Sequence, residues 1–260
     1  MTPAGLMIDM DGTIYKGRNV IPGAKEFIEF LIKENIPFVF LTNNSSHTRE
    51  YYCAKLGSMG FEIDKEKILT STIATVRFIK ERRAGKKVFV VATPEVAGEI
   101  EGLGIPSEEK DPDIVLLTFD TTITFEKINK AYHHIMNGAE LIATHPDDLC
   151  PTEDSYDVDI GQFIRMLSNL TGTAPIIVGK PSMLMVEMAA GEMGVAKDRT
   201  MMIGDRLYTD MRMAANAGIE SILVLTGEAK ISDLDGSEVK PTYVLGSVAD
   251  IPELLSRTDK

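Results

Sequence analysis

Residues 5–13 read GLMIDMDGT, a short apolar run without helical spacing that passes straight into Asp9, Met10, Asp11, Gly12 and Thr13. A run of this length ending in turn residues reads as a strand buried on both faces, the kind found inside a parallel sheet. Later runs have the same character. IPFVFLT (36–42), VFVVAT (88–93), DIVLLTF (113–119), ELIATHP (140–146), PIIVGKP (175–181), TMMIGD (200–205), SILVL (221–225) and TYVL (242–245) all read as strands. Helical spacing separates them at 24–34, 47–59, 72–83, 124–138, 161–172, from 181 to about 193, and at 209–216. Strands alternating with helices of this length make right-handed βαβ units, so the fold class is α/β with a doubly wound parallel sheet. Residues 107–113 and 146–159 read as polar loops.

In open parallel sheets the ligand site lies beyond the carboxyl ends of the strands. The first strand ends in Asp9-Met10-Asp11-Gly12-Thr13 and the second in Thr42-Asn43-Asn44. PIIVG leads into Lys180-Pro181, and MMIG into Asp205 with Asp210 close behind. Asp9, Asp11 and Asp205 gathered at one edge would repel one another, and a divalent cation resolves that conflict. Mg²⁺ prefers oxygen ligands, takes one or two carboxylates and keeps positions for water and phosphate. A carboxylate oxygen of Asp9 can then attack phosphorus, Lys180 supplies a fixed positive charge, and Thr42 with the N–H groups after it can bind phosphoryl oxygens. Asp11, two residues beyond Asp9, can swing toward the leaving group as general acid and base. Singly, each string has an ordinary structural reading as a turn or a helix cap. The four together, in order, at four strand ends, are what favour chemistry.

Composition narrows the class. The 260 residues are 44% apolar and 25% charged, the balance of an ordinary globular protein. A net charge of −12, from 27 basic and 39 acidic residues, with no basic patch, argues against nucleic acid and anionic membrane as partners. Cys53 and Cys150 form no CxxC spacing, which argues against a disulfide framework or a zinc knuckle. Two aspartates interrupt the first apolar run, so a signal peptide is not expected there, and a cytoplasmic protein is. The sequence leaves homo-oligomerisation open.

The strings DMDGT (9–13), TNN (42–44), GKP (179–181) and GDRLYTD (204–210) resemble, in order, the four motifs of the haloacid dehalogenase (HAD) superfamily. The resemblance runs from Ile8 to Asp210 and implies a HAD-like core that hydrolyses small phosphorylated metabolites. It implies Asp9 as nucleophile and metal ligand, and Asp11 as acid/base that gives its backbone carbonyl to the metal. Thr42 and Asn43 resemble the phosphate-binding pair, Lys180 the stabilising cation, Asp205 the third protein ligand, and Asp210 a residue orienting the metal's water shell. Between Asp11 and Thr42 there is room for one helix and one strand only. Between Thr42 and Lys180 there is far more chain than two βα units require. The surplus reads as an α/β cap inserted at 83–175, within a core of 1–82 plus 176–260. That cap position, with LTNNSS and GDRLYTD, looks like the NagD-like, 4-nitrophenyl phosphatase branch. Tyr208 departs from the Asp or Asn expected more often there. His145-Pro146-Asp147 resembles a string near the substrate in this branch, and reads equally as an Asx-type turn.

Two alternatives of other classes remain. A phospho-receiver also sets acids, a Thr and a Lys at strand ends, but lacks DxDGT and the insertion. A silent phospho-ligand binding protein on the same fold would have shed Asp9 or Asp11, and both are present.

Overall fold

The computed structural model describes residues 3–152 and 155–257. Its largest sheet has six strands in the order Tyr243–Leu245, Glu220–Val224, Thr200–Gly204, Gly5–Asp9, Phe38–Thr42, Ile68–Thr70. Gly5–Asp9 lies inside it, parallel to both neighbours, with Ile8 opposite Ile203 and Asp9 opposite Leu41. From this strand the chain winds outward one way through Phe38–Thr42 and later the other way through Thr200–Gly204. Asp9 thus stands at the topological switch point, where open α/β sheets leave a crevice. Leu6, Met7, Ile8, Phe40, Leu41, Met202 and Ile203 are wholly buried, as the unbroken apolar runs require of strands covered on both faces.

A second sheet has four strands in the order Ile176–Ile177, Glu140–Ala143, Ile114–Leu117, Val88–Val91, all parallel. Helices Phe125–Met136 and Ile160–Thr171 contribute Ala131, Ile135, Ile160, Ile164 and Leu167 to its core, against Val115, Leu117 and Leu141. The chain divides into two compact units. The first comprises Met1–Leu41, Cys53–Leu69 and Lys180–Lys260; the second, Thr42–Tyr52 and Thr70–Gly179. The second unit thus takes in the TNN string with the segment after it, and the helix Ser71–Arg82.

Several elements differ from the sequence reading. The strand expected at 175–181 is short, Ile176–Ile177, and pairs with Ile142 and Ala143 in the four-stranded sheet. Val178 and Gly179 still follow that sheet, donating to Ala143 O (3.3 Å) and Thr144 O (2.7 Å), and Lys180 opens the other unit. The loop expected at 146–159 contains an antiparallel pair, Leu149–Pro151 with Tyr156–Val158. Start of the expected 209–216 helix is a π turn, Leu207–Met211, continued by Arg212–Ala217. Strand Ile68–Thr70 and helix Ile251–Arg257 have no counterpart in the reading. Among the described residues no helix is long and apolar enough to cross a membrane.

Candidate active site

In the first unit, four predicted residues meet. Lys180 is buried and donates from Nζ to a carboxylate oxygen of Asp9 and to Asp210 Oδ1 (2.8 Å). Asp9 closes the strand Gly5–Asp9, and Asp205 directly follows Thr200–Gly204. Ligand oxygens of Asp9, Asp205 and Asp210 all lie within 4.8 Å of one another. The π turn Leu207–Met211 turns Asp210 inward, where its Oδ2 accepts the N–H of Arg206 (3.2 Å). Single π turns of this kind are frequent at functional sites.

Close backbone approach makes the cluster compact. Gly12 has φ 91°, and a Cβ there would run into the Asp205 carboxylate. A Cβ at Gly204 would overlap Asp210, and one at Gly227 would overlap Asp205. Asp11 is exposed, its backbone bridged to Tyr15, and the Lys55 ammonium lies 4.1 Å from the centre of the Tyr15 ring.

The sequence reading missed the loop after the strand Glu220–Val224. Thr226 Oγ1 donates to Gly12 O (2.6 Å), Glu228 N to Asp205 Oδ2 (2.7 Å), and Ala229 N to Asp205 O (3.1 Å). A Thr-Gly pair just past an apolar strand was the signal available. Arg206 was also missed; its Nε lies 3.1 Å from Glu228 Oε2, and Tyr208 donates to the same oxygen (3.0 Å).

Electrostatics follow from this crowding. Burial raises Asp9 to about 6, with Lys180 pulling it down and Asp210 pushing it up. Burial also raises Asp205, to about 8, reinforced by Asp9 and Asp210. For Lys180, burial favours the neutral form, yet Asp210 and Asp9 outweigh it and its pKa rises. Arg206 likewise rises against its burial, chiefly through Asp9. Asp11 is solvent-exposed, yet the protein groups packed around its carboxyl displace enough water to raise it, against the pull of Lys55 and Arg206. Negative charge is thus in excess here, and Asp205 Oδ1 is buried with no hydrogen-bond partner among the described residues. An orphaned oxygen in an all-oxygen donor set is what a hard divalent cation takes, so the residues fit such an ion.

Apart from Asp11, the other predicted residues lie in the second unit. Thr42 Oγ1 accepts the N–H of Asn44 (3.2 Å), the turn chemistry expected of that string. Asn43 Nδ2 donates to Asp147 Oδ2 (3.0 Å). His145 is wholly buried, 3.1 Å from Asp159 Oδ1 through Nε2. Asp159 and Ser45 were not singled out in the sequence. Thus Asp9, Lys180, Asp205 and Asp210 are brought together in one unit, and Asn43, His145 and Asp147 in the other.

Comparison with known proteins follows the same lines. Residues 6–106 match the family model of haloacid dehalogenase-like hydrolases, and residues 177–251 a HAD-hydrolase-like model. Sugar-phosphatase AraL of Bacillus subtilis (strain 168) is 34% identical over 259 residues, covering 98% of this chain and 94% of its own. The crystal structure of 4-nitrophenylphosphatase from Thermotoga maritima superposes with TM-score 0.92 at 38% identity, covering 96% of this chain and 97% of that one. NagD from E. coli K-12 gives TM-score 0.90 at 30% identity, with coverage of 96% and 98%.

Two outcomes are expected of the acidic cluster. Asp205 holds its proton up to about 8 in the folded protein against an ordinary 3.8, so folding takes up a proton across that range. Stability of the metal-free protein should therefore fall as pH rises from about 4 through about 8. Thermal unfolding in chelator should show this fall for the native chain and a smaller one for Asp205→Asn; equal slopes would refute the assignment. Separately, Gly227→Ala should displace Asp205 and weaken divalent-cation binding by about tenfold or more, read as a smaller thermal shift on titrating Mg²⁺ as the probe. An unchanged titration would mean that this loop does not shape the site.

Proposed function

The chain belongs to the haloacid dehalogenase-like hydrolases, in the branch of NagD and 4-nitrophenylphosphatase, and is a phosphoric monoester hydrolase; on that premise we propose that it cleaves small phosphate monoesters, with Mg²⁺, through an aspartyl-phosphate on Asp9. The observation that carries this reading is the buried Lys180 ammonium shared by Asp9 and Asp210, beside the orphaned oxygen of Asp205.

In the first half-reaction a carboxylate oxygen of Asp9 bonds to phosphorus as the ester oxygen leaves. Asp11 gives that oxygen its proton. In the second, Asp11 takes a proton from water, the water oxygen bonds to phosphorus, and the Asp9–phosphorus bond breaks. Lys180 holds Asp9 in its ionised form and in place, because a neutral carboxyl would be a poor nucleophile. Thr42 and Asn43 bind the phosphoryl oxygens. Asp9, the backbone carbonyl of Asp11 and Asp205 would hold Mg²⁺, with Asp210 behind them; when bound, the ion offsets carboxylate and phosphoryl charge so that one anion can approach another.

The same reading assigns 1–82 plus 176–260 as catalytic core and 83–175 as a cap, with His145 and Asp147 on its substrate loop. A cytoplasmic location completes it, in keeping with the reduced state of Cys53 and Cys150. Tyr208, the departure from the expected motif, points outward to Glu228 and leaves the carboxylates intact.

Phosphate release from p-nitrophenyl phosphate tests the proposal. Release should require Mg²⁺, stop in chelator, and fall by at least about a thousandfold in Asp9→Asn. Asp11→Asn should slow turnover by about 10²–10⁴-fold. Release that persists in Asp9→Asn would remove Asp9 as nucleophile.

A further inference from the structure

The segment Asn43–Ser46, just past the first phosphate-binding position, is fastened within the second unit at almost every residue. Ser71 Oγ donates to Asn43 O (2.5 Å), and Asn43 Nδ2 donates to Asp147 Oδ2 (3.0 Å). Ser45 Oγ accepts the N–H of Phe119 (2.8 Å) and lies 2.8 Å from Thr144 Oγ1. Thr93 Oγ1 donates to Ser46 O (3.2 Å). Thr93, Phe119 and Thr144 follow three neighbouring strands of the four-stranded sheet, so the segment lies across their carboxyl ends.

Beneath Ser45 sits His145. Its Nδ1 is 3.4 Å from Ser45 Oγ and 3.2 Å from Thr144 Oγ1, and its Nε2 is 3.1 Å from Asp159 Oδ1. Ser45, Thr144 and His145 have no exposed surface, and Asp159 has 3%. A carboxylate can only accept, so the Nε2 facing Asp159 carries a hydrogen. Asp159 is itself fixed, because its Oδ1 accepts the N–H of Ile160 and caps the helix Ile160–Thr171. The next residue of that helix, Gly161, donates to Asp147 O (2.8 Å), and a Cβ there would overlap the carbonyls of Pro146 and Asp147. One helix start therefore holds two chains of contact. Asp159 leads through His145 to Ser45, and Gly161 leads through Asp147 to Asn43.

We infer that His145 and Asp159 are positioning residues, which set the affinity for the phosphoryl group by holding Ser45 and hence Asn43, without touching substrate. The inference rests on the reading of Asn43 as a phosphoryl ligand. The order Ser45–His145–Asp159 looks like a hydrolytic triad, but its serine is wholly buried and already accepts a backbone N–H. His145, Asp147 and Asp159 also bring ligand atoms within 4.8 Å of one another, yet each is engaged in a protein hydrogen bond.

Asp159→Ser keeps a helix cap and is too short to reach His145; Ser45→Ala removes one hydroxyl. Both are measured with p-nitrophenyl phosphate, alone and combined, beside Asn43→Ala. Each should raise KM and the inhibition constant of inorganic phosphate by about tenfold, with kcat within about threefold of native and an unmoved pH profile. The double variant should be little worse than either single one, since both break one chain of contacts. The Mg²⁺-induced thermal shift should stay native. Lower stability with native KM and phosphate inhibition would overturn the inference and leave a structural pair. So would a stoichiometric Zn²⁺ bound by the native chain and lost in Asp159→Ser. If Asn43→Ala itself leaves both constants unchanged, the phosphoryl-ligand reading fails and takes the inference with it. If Asn43→Ala raises them and the other variants do not, positioning alone is refuted. Should Asp159→Ser fail to fold, Ser45→Ala carries the test.

Discussion

A single buried ammonium lets carboxylates crowd the carboxyl edge of the six-stranded sheet. Lys180 donates to both Asp9 and Asp210, and both rest in a region from which water is largely excluded. Removing one member of a buried ion pair commonly costs about 3–5 kcal/mol, because the other charge is left uncompensated. That is a large share of a typical domain's net stability of about 5–15 kcal/mol. Lys180 nevertheless does not neutralise the cluster. Asp205 stays raised to about 8, with one oxygen unpartnered, so the site still favours a cation. The backbone closes in on these carboxylates at Gly12, Gly204 and Gly227, each where a Cβ would overlap Asp205 or Asp210.

The division of the chain into units gives the proposed phosphate-binding segment a separate foundation. Thr42–Tyr52 belongs with the four-stranded sheet, although it directly follows a strand of the six-stranded one. Its anchors, from Ser71 to Asp147, are residues of that same unit. The proposed nucleophile and the proposed phosphoryl ligands are therefore held by different packing. On that reading, substitutions in one unit should change phosphate affinity while leaving metal affinity alone, which makes the two proposed functions separable by experiment.

The parts legible in the sequence were those with short-range causes. An apolar run ending in Asp9-Met10-Asp11-Gly12 declares both a buried strand and what stands at its end. The same holds for Thr42 and Asp205. The runs could not say which sheet a strand joins. PIIV has the composition of any buried strand, and its pairing with Ile142 and Ala143 is set by contacts distant in sequence. Leu149–Pro151 and Tyr156–Val158 pair at an exposed surface, where no apolar alternation announces them. Asp159 is fourteen positions from His145 and carries the appearance of a simple helix cap, which it also is. Glu228 binds Asp205 through its backbone N–H, a contact independent of side-chain type.

The proposed mechanism passes through a covalent bond between Asp9 and phosphorus. Quenching the turning-over enzyme with borohydride reduces an aspartyl-phosphate to homoserine, which peptide mass spectrometry can locate. That mechanism requires homoserine at position 9, dependent on substrate and absent at 11, 205 and 210. Homoserine at another of these positions would contradict it. So would unmodified Asp9 under conditions in which the same method traps the phosphoenzyme of a related hydrolase.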